Sequence, residues 1–146
     1  EIAAASPRFR VRRQSEAIGI DRVGAAIRDD QTLVSVVRFS RGEPPRAFYG
    51  VFFLRPGVAP RFLVLDDAQR IDDLIAAWRR EASRRPAPGS AAVDEYRRAA
   101  LPLRQAVWDP IVRAAGGAKE IILVPDGTLH TVSFGSLPDD ASCDGL

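Results

Sequence analysis

A change in the spacing of apolar residues near Asp67 divides this chain into two kinds of structure. Before it, segments 33–39, 47–54 and 61–65 are rich in Val, Phe and Leu and are joined by short turns that contain Gly and Pro. Parallel strands need a crossover of about a dozen residues or more, so these short connections predict an antiparallel β-meander. After it, the apolar residues follow the period of an α-helix.

The segment after Asp67 predicts an amphipathic helix, because its apolar residues are spaced i, i+3, i+4 and i+7 and so form one stripe. These residues are Ile71, Leu74, Ile75 and Trp78. Asp66, with Gln69 three residues later, resembles a capping box at the start of the helix. The Pro-Ala-Pro-Gly sequence at 86–89 ends it.

A second helical stretch is predicted for residues 91–115, with Pro102 and Pro110 inside it. Each proline removes a backbone donor and clashes with the carbonyl group four residues back. We therefore expect this stretch to be kinked or split into shorter helices. Gly116 and Gly117 provide a left-handed stop at its end.

The segment 120–124 is a nearly continuous run of Ile, Leu and Val, the composition of a strand that is buried on both faces, as in a parallel sheet. A Pro-Asp-Gly turn at 125–127 follows it. With 146 residues, the chain has the length of one domain. We predict an α/β domain in which the antiparallel meander and two helical segments precede the first strand of a mostly parallel sheet.

The N-terminal segment is predicted to lie outside this domain. Residues 1–17 carry four arginines between positions 8 and 13 and are expected to be a linker or the end of a preceding domain. Ser15 or Asp21 caps a short helix before the first strand. The chain does not begin with Met and stops in a polar turn, so we expect further sequence on both sides of it.

Charge and cysteine content exclude several classes of protein. The 21 basic residues are nearly balanced by 19 acidic ones that lie among the arginine pairs, so no nucleic-acid partner is predicted. The apolar runs fall far short of the roughly 20 residues that cross a bilayer, so no membrane partner is predicted. Cys143 is the single cysteine and cannot form an internal disulfide, which favours a reducing, cytoplasmic setting.

The residues that suggest chemistry are interpreted as structural. His130 is the single histidine, and a hydrolase would need it beside a nucleophile such as Ser133, Ser136 or Cys143. A lone histidine in a mixed apolar segment is more often a packing or hydrogen-bonding residue, and the carboxylates beside Cys143 disfavour its thiolate. The acidic pairs at 66–67, 72–73 and 139–140 fit helix starts, a solvated helix face and a turn. No catalytic, cofactor or metal residue is assigned.

The sequence from Ile121 to His130, followed by Phe134 and by Leu137-Pro138, resembles a motif of the CHAT domain family. That motif is a hydrophobic strand, a Pro-Asp-Gly turn and a Leu-His…Pro-Phe…Ala-Leu-Pro stretch. The order of the upstream elements is similar as well, so the resemblance covers roughly residues 18–146. Ser133 stands where the family has a proline.

The resemblance implies a caspase-like α/β domain, related to caspases and separases, whose full-length members are cysteine peptidases with a His/Cys dyad. In the family, each dyad residue follows a later strand of the central sheet, and neither His130 nor Cys143 matches its motifs. The chain is therefore expected to be the N-terminal scaffold half of a bacterial, cytoplasmic hydrolase, inactive alone because the dyad lies beyond Leu146. The implied partners are the remainder of the caspase-like domain, TPR-type helical repeats upstream, and a peptide or protein substrate of the full-length protein.

Two other functions remain open. One is a degenerate or truncated caspase-like module that acts only in protein interaction. It differs from the peptidase in lacking a His and then a Cys motif downstream. The other is an unrelated small α/β binding domain, which predicts that no large apolar edge or patch is exposed.

Overall fold

The structure, a computed structural model, describes residues 19–84 and 90–138. In this part of the chain a four-stranded mixed sheet packs against helices, which confirms the predicted α/β class. The predictions for residues 1–17, for Cys143 and for the acidic pair at 139–140 lie outside the described residues. None of the described helices combines the length and the apolar character that a bilayer crossing requires.

The sheet contains four strands: β1 (Gln31–Arg41), β2 (Arg46–Arg55), β3 (Val58–Asp67) and β4 (Glu120–Val124). Their spatial order is β3-β2-β1-β4. The first three strands are antiparallel neighbours, which confirms the predicted meander, and β4 pairs with β1 in parallel.

In residues 19–84 and 90–138, four α-helices accompany the sheet: α1 (Ile20–Ala26), α2 (Ala68–Ala82), α3 (Ser90–Leu103) and α4 (Asp109–Ala115). A π-helical turn, Arg104–Trp108, joins α3 to α4. The predicted interruption of the long helical stretch is therefore confirmed, and it takes the form of a wide turn between two helices.

The two prolines occupy different places in this stretch. Pro102 lies inside α3 and is followed at once by the π-turn. Pro110 lies in the first turn of α4, where a missing backbone N–H group is tolerated. Gly116 ends α4 with a φ of 63°, so the predicted left-handed stop is confirmed.

The cap of α2 differs from the prediction by one residue. Asp67, and not Asp66, is the N-cap, and its carboxylate accepts a hydrogen bond from the backbone N–H of Gln69 at 2.9 Å. The Gln69 side chain donates to Asp73 at 2.9 Å. The capping box predicted from Asp66 and Gln69 is therefore wrong, because the glutamine forms a bond along the helix.

The short helix predicted before the first strand is α1, but its cap also differs. The N-cap is Gly19, which has no side chain to cap with, and Asp21 lies in the first turn, where a carboxylate favours the helix dipole. A Cβ atom on Gly24 would lie 4.0 Å from Leu54 Cδ1 of β2. Helix α1 therefore lies against the sheet at Leu54.

The core lies between α2–α4 and one face of the sheet, which we call the inner face. Val34 and Val36 of β1 and Tyr49, Val51 and Phe53 of β2 point into it. From the helical side they meet buried side chains of α2, α3, the π-turn and α4: Ile71, Ile75, Trp78, Leu103, Val107 and Ile111.

The opposite face of the sheet, which we call the outer face, is largely open. Leu54 alternates with Phe53 and belongs to this face, so α1 covers one corner of it. Four of its apolar side chains retain between 38% and 48% of their accessible surface: Phe52, Phe62, Ile122 and Val124.

Strand β4 was predicted to be buried on both faces, and this is wrong for the described part of the chain. Its burial alternates: Ile121 and Leu123 pack against the core, whereas Ile122 and Val124 are exposed. The reason is that β4 stands at the edge of the sheet and no described helix covers its outer face.

Candidate functional site

The Pro-Asp-Gly turn leaves the carboxyl end of β4 and lies beside the second half of β1. Val124, the last residue of β4, pairs with Ser35, and β1 continues to Arg41. In open α/β sheets, ligands bind outside the carboxyl ends of parallel strands. The end of the β1/β4 pair is therefore the place where a site is expected.

Asp126 attaches this turn to β1. One of its carboxylate oxygens accepts a hydrogen bond from the backbone N–H of Arg38 and the other from the backbone N–H of Gly127, both at 2.8 Å. The Arg38 bond contributes most and the Gly127 bond next to lowering the pKa of Asp126, and desolvation opposes them. Its carboxylate therefore stays ionised while it holds the turn.

A second group of hydrogen bonds joins the same turn to β2 and α2. The Tyr49 hydroxyl donates to Asp72 Oδ1 at 3.0 Å and accepts from the Thr128 N–H at 3.2 Å. The Thr128 hydroxyl donates to the same Asp72 oxygen at 2.5 Å. The Arg38 guanidinium lies 3.8 Å from Asp72 Oδ2. We call these residues the β4 junction: Arg38, Tyr49, Asp72, Asp126 and Thr128.

Gly127 is required by the geometry of the β4 junction. Its φ is 57°, a left-handed conformation that side chains disfavour. A Cβ atom at this position would lie 2.4 Å from the Tyr49 hydroxyl oxygen. The glycine of the Pro-Asp-Gly turn therefore lets the backbone approach Tyr49 closely enough for the hydrogen bonds to form.

The polar atoms of the β4 junction bond mainly to each other, and its one cation, Arg38, lies beside one of its two carboxylates. Asp72 has Arg38, Tyr49 and Thr128 as partners, and Asp126 has two backbone N–H groups. Such an arrangement fixes the position of the turn after β4. It can therefore orient neighbouring groups at the end of the sheet.

His130 follows the β4 junction on a 3₁₀ helix, Gly127–Thr131, and is exposed. Within residues 19–84 and 90–138 its side chain makes no hydrogen bond. The Ser136 hydroxyl donates to the Ser133 carbonyl at 2.7 Å. The described part of the chain thus does not bring His130 together with a serine nucleophile.

The acidic pairs that were considered for metal binding separate in the structure. Asp72 belongs to the β4 junction, whereas Asp73 accepts a bond from the Gln69 side chain. Desolvation raises the pKa of Asp67, but hydrogen bonds from two backbone N–H groups and from Arg46 outweigh it and lower the pKa. Among the residues that the structure describes, no group of three His, Cys, Asp or Glu side chains is placed to hold a metal ion.

The described members of the arginine pairs differ in their surroundings. Arg79 and Arg80 are exposed on α2, while Arg98 donates to the Asp94 carbonyl of its own helix at 3.3 Å. Arg84 forms ion pairs with Glu81 at 3.0 Å and with Glu95 at 3.3 Å. The hydrogen bond to Glu81 contributes most to raising the pKa of Arg84.

A cavity of about 890 Å³ opens between α2, α3 and the 3₁₀ turn Phe134–Ser136. The Trp78 indole N–H donates to the Tyr96 hydroxyl at 3.1 Å, and this hydroxyl donates to the Ser136 carbonyl at 2.7 Å. The volume suits a small ligand. The polar groups at its wall are already bonded to one another, and the cavity was not predicted from the sequence.

Sequence reasoning missed Arg38, Tyr49 and Asp72 as members of a site. Thr128 lies 79 residues from Tyr49, and Asp126 lies 88 residues from Arg38, so no local motif contains both partners. Tyr49 also sits in an apolar strand, where an aromatic residue is expected for packing alone. The Pro-Asp-Gly turn was the one signal that pointed to this place.

Comparisons with known proteins assign no family to this geometry. A scan against protein-family models, a search of curated proteins and a search of solved structures each returned no match. The resemblance to the CHAT domain family therefore stays a prediction from sequence motifs.

Proposed function

We propose that this chain is the N-terminal scaffold half of a caspase-like cysteine peptidase of the CHAT type, and that the remainder of the domain supplies the His/Cys dyad. The observation that supports this proposal most directly is the arrangement of strand β4. This strand is parallel to β1, its other edge pairs with no described residue, and it exposes Ile122 and Val124. Parallel strands are normally paired within a sheet and covered on both faces, so the unpaired edge of β4 and its uncovered outer face support a sheet that further polypeptide completes.

The two edges of the sheet differ in a way that favours addition at β4. Edge strands are commonly protected by proline, charge or a bulge. Strand β3 has Pro60, Arg61 and irregular pairing with β2. In β4, residues Ile121–Val124 contain no proline and no charge, and the pairing with β1 is regular. A new strand therefore finds its hydrogen-bonding partner at β4.

The β4 junction supports the scaffold role. Residues that follow the carboxyl ends of parallel strands gather at one edge of a sheet. The β4 junction fixes the first of these ends through β1, β2 and α2. In this proposal it provides the rigid support on which catalytic groups after later strands are positioned. The full-length protein acts on a peptide or protein in the bacterial cytoplasm, with TPR-type repeats upstream.

The test joins the chain to the polypeptide encoded after Leu146 and measures cleavage of fluorogenic peptides. We expect that polypeptide to carry a His and then a Cys, each after a strand, and the joined protein to cleave peptides. Substitution of that Cys by Ala abolishes cleavage, and the 146-residue chain alone is inactive. Lack of the His and Cys motifs, or cleavage by the chain alone that His130→Ala abolishes, overturns the proposal.

A matched pair of variants tests the role of β4 in the joined protein. Ile122→Lys places a charge on the open face of β4, whereas Val112→Lys places one on α4 at a residue with similar exposure, 44% against 38%. We expect Ile122→Lys to reduce peptidase activity and Val112→Lys to leave it near the unsubstituted level. Equal activity of the two variants contradicts a role for this face in completing the domain.

The non-catalytic caspase-like interaction module is the second candidate. The observation that favours it is the exposure of Phe52 and Phe62, because clustered aromatic side chains on a surface are typical of protein interaction sites. The same exposure argues against the small α/β binding domain, which predicted no exposed apolar patch. Lack of the downstream His and Cys motifs selects this module over the peptidase.

A further inference from the structure

Four phenylalanines form a continuous cluster on the outer face of β1–β3, and we call it the aromatic patch: Phe39, Phe48, Phe52 and Phe62. Ring centroids of Phe52 and Phe62 are 4.6 Å apart, those of Phe39 and Phe62 5.9 Å, and those of Phe39 and Phe48 6.1 Å. Phe52 and Phe62 keep nearly half of their accessible surface, and the other two are half-buried.

Gly50 of β2 lies directly beneath the aromatic patch. A Cβ atom at this position would lie 2.4 Å from Phe62 Cζ and 3.0 Å from Phe39 Cε1. The two rings therefore lie close over bare backbone, where no side chain separates them from the sheet. A cluster of packed and partly exposed rings is suited to contact with another apolar surface.

The shape of the uncovered area favours a helix as its occupant. The aromatic patch spans three neighbouring strands, a width of roughly 10 Å at about 4.8 Å between strands, and a helix with its side chains is roughly 10–12 Å wide. Helix α1 already contacts the outer face at Leu54, beyond the Phe52 end of the patch. The width of the aromatic patch therefore matches that of one helix.

The positive charge of Arg41 indicates which charge a bound helix should carry at one end of the aromatic patch. Its guanidinium carbon lies 4.4 Å from the centroid of the Phe48 ring, at the hairpin end of the aromatic patch. In the described part of the chain it forms no ion pair, whereas Arg46 on the same face is paired with Asp67 at 3.0 Å. A carboxylate at this end of the bound helix complements Arg41.

We propose that the aromatic patch binds an amphipathic helix of a partner protein, with the apolar stripe of the helix on Phe52 and Phe62 and an acidic side chain of the helix at Arg41. The proposal uses β1–β3 alone. It therefore does not depend on the caspase-like function or on strand addition at β4.

The probe is a fluorescently labelled synthetic helix of about 16 residues, because shorter helices are marginal in water. It carries Leu at i, i+3, i+4 and i+7 and Glu beside this stripe, and a second version carries Lys in place of Glu. Fluorescence anisotropy with the 146-residue chain measures both affinities. We expect the Glu version to bind about two- to fivefold more tightly than the Lys version, the range of an exposed ion pair.

Variants of the chain test the two contacts separately, with circular dichroism as the check on folding. Phe52→Ser and Phe62→Ser each weaken binding of the Glu version about tenfold, as expected for a central aromatic contact. Arg41→Glu reverses the preference in favour of the Lys version. Val112→Ser, which changes an apolar residue of similar exposure on α4, leaves both affinities unchanged.

Three outcomes overturn the proposal. One is equal affinity of the Glu and Lys versions for the unsubstituted chain. Another is binding that survives Phe52→Ser and Phe62→Ser in folded protein. The third is a chain dimer in sedimentation that Phe52→Ser dissolves, since the occupant of the aromatic patch is then a second copy.

Discussion

Gly127 shows how a single residue controls the β4 junction. Gly127→Ala places a methyl group 2.4 Å from the Tyr49 hydroxyl at a backbone φ of 57°. We expect a loss of about 2–4 kcal/mol in the free energy of unfolding, because backbone strain and the loss of hydrogen bonds add together. Urea denaturation of the two proteins measures the difference.

Two controls separate the causes of this loss. Gly117→Ala has the same kind of backbone strain, at a φ of 80°, but no atom lies within 4 Å of the added methyl group, so we expect about 1–2 kcal/mol. Tyr49→Phe removes the atom that clashes, so Gly127→Ala costs less in that background. Equal costs for Gly127→Ala and Gly117→Ala contradict the importance of the contact with Tyr49.

Asp126 makes the stability of the β4 junction depend on pH. Hydrogen bonds from the N–H groups of Arg38 and Gly127 lower its pKa below the ordinary value of 3.8. A carboxylate whose pKa is lower in the folded than in the unfolded state contributes its full stabilisation of the fold at pH values above the unfolded pKa. This stabilisation is lost as the pH falls through the folded pKa. We expect the stability difference between the unsubstituted chain and Asp126→Asn to be largest near about pH 7 and to shrink below about pH 4.

Urea denaturation at a series of pH values gives that difference directly. Asp73→Asn is the matched control, because the Asp73 side chain accepts a hydrogen bond from the Gln69 side chain on the surface of α2 and, within the described residues, makes no hydrogen bond or ion pair with the β4 junction. A difference for Asp126→Asn that stays constant down to about pH 2, or one that Asp73→Asn reproduces, rules out this linkage.

At the scale of elements, the sequence predicts which helices and strands are present better than it predicts the geometry of the turns between them. The meander, the helix after Asp67 and the strand at 120–124 follow from apolar spacing and are present. The π-turn was not predictable, because two prolines indicate an interruption but do not choose its geometry. Arg104 begins this turn and bonds Asp109 at 2.9 Å and the carbonyl of Pro138, partners that are known only once the chain is folded.

The open edge of β4 predicts an uneven pattern of amide hydrogen exchange. Residues 33–35 of β1 are paired on both sides, so their amides should exchange slowly. Amides of β4 that point to β1 should also be slow, while those on the other edge should exchange rapidly, because water reaches them. NMR-detected exchange on the chain measures this alternation. Uniformly slow exchange along β4 would show that the edge is already paired in solution.

At the scale of the whole molecule, the class and the order of elements were predictable, but the covered side of the sheet was not. Segment 47–54 of β2 is apolar at nearly every position, so a period of two does not show which set of side chains faces the core. Helices that lie far from β2 in the sequence cover one face of the sheet and so determine which side chains are buried. The β4 junction could not be predicted either, because its contacts join residues far apart in the sequence: they connect β1, β2 and α2 to the turn after β4.

Phe52 and Phe53, which are adjacent in β2, test whether one face of the sheet or both faces are buried in a core. Phe53 lies on the inner face and is 4% exposed, whereas Phe52 lies on the outer face and is 45% exposed. We expect Phe53→Ala to lower the free energy of unfolding by about 3–5 kcal/mol, and Phe52→Ala by about 1–2 kcal/mol through its partial burial and its contact with Phe62. The residue type and the strand are the same, so urea denaturation of the two variants isolates the difference between the faces. Equal losses would mean that another layer covers the outer face in solution, and the aromatic patch would then not be free to bind a partner.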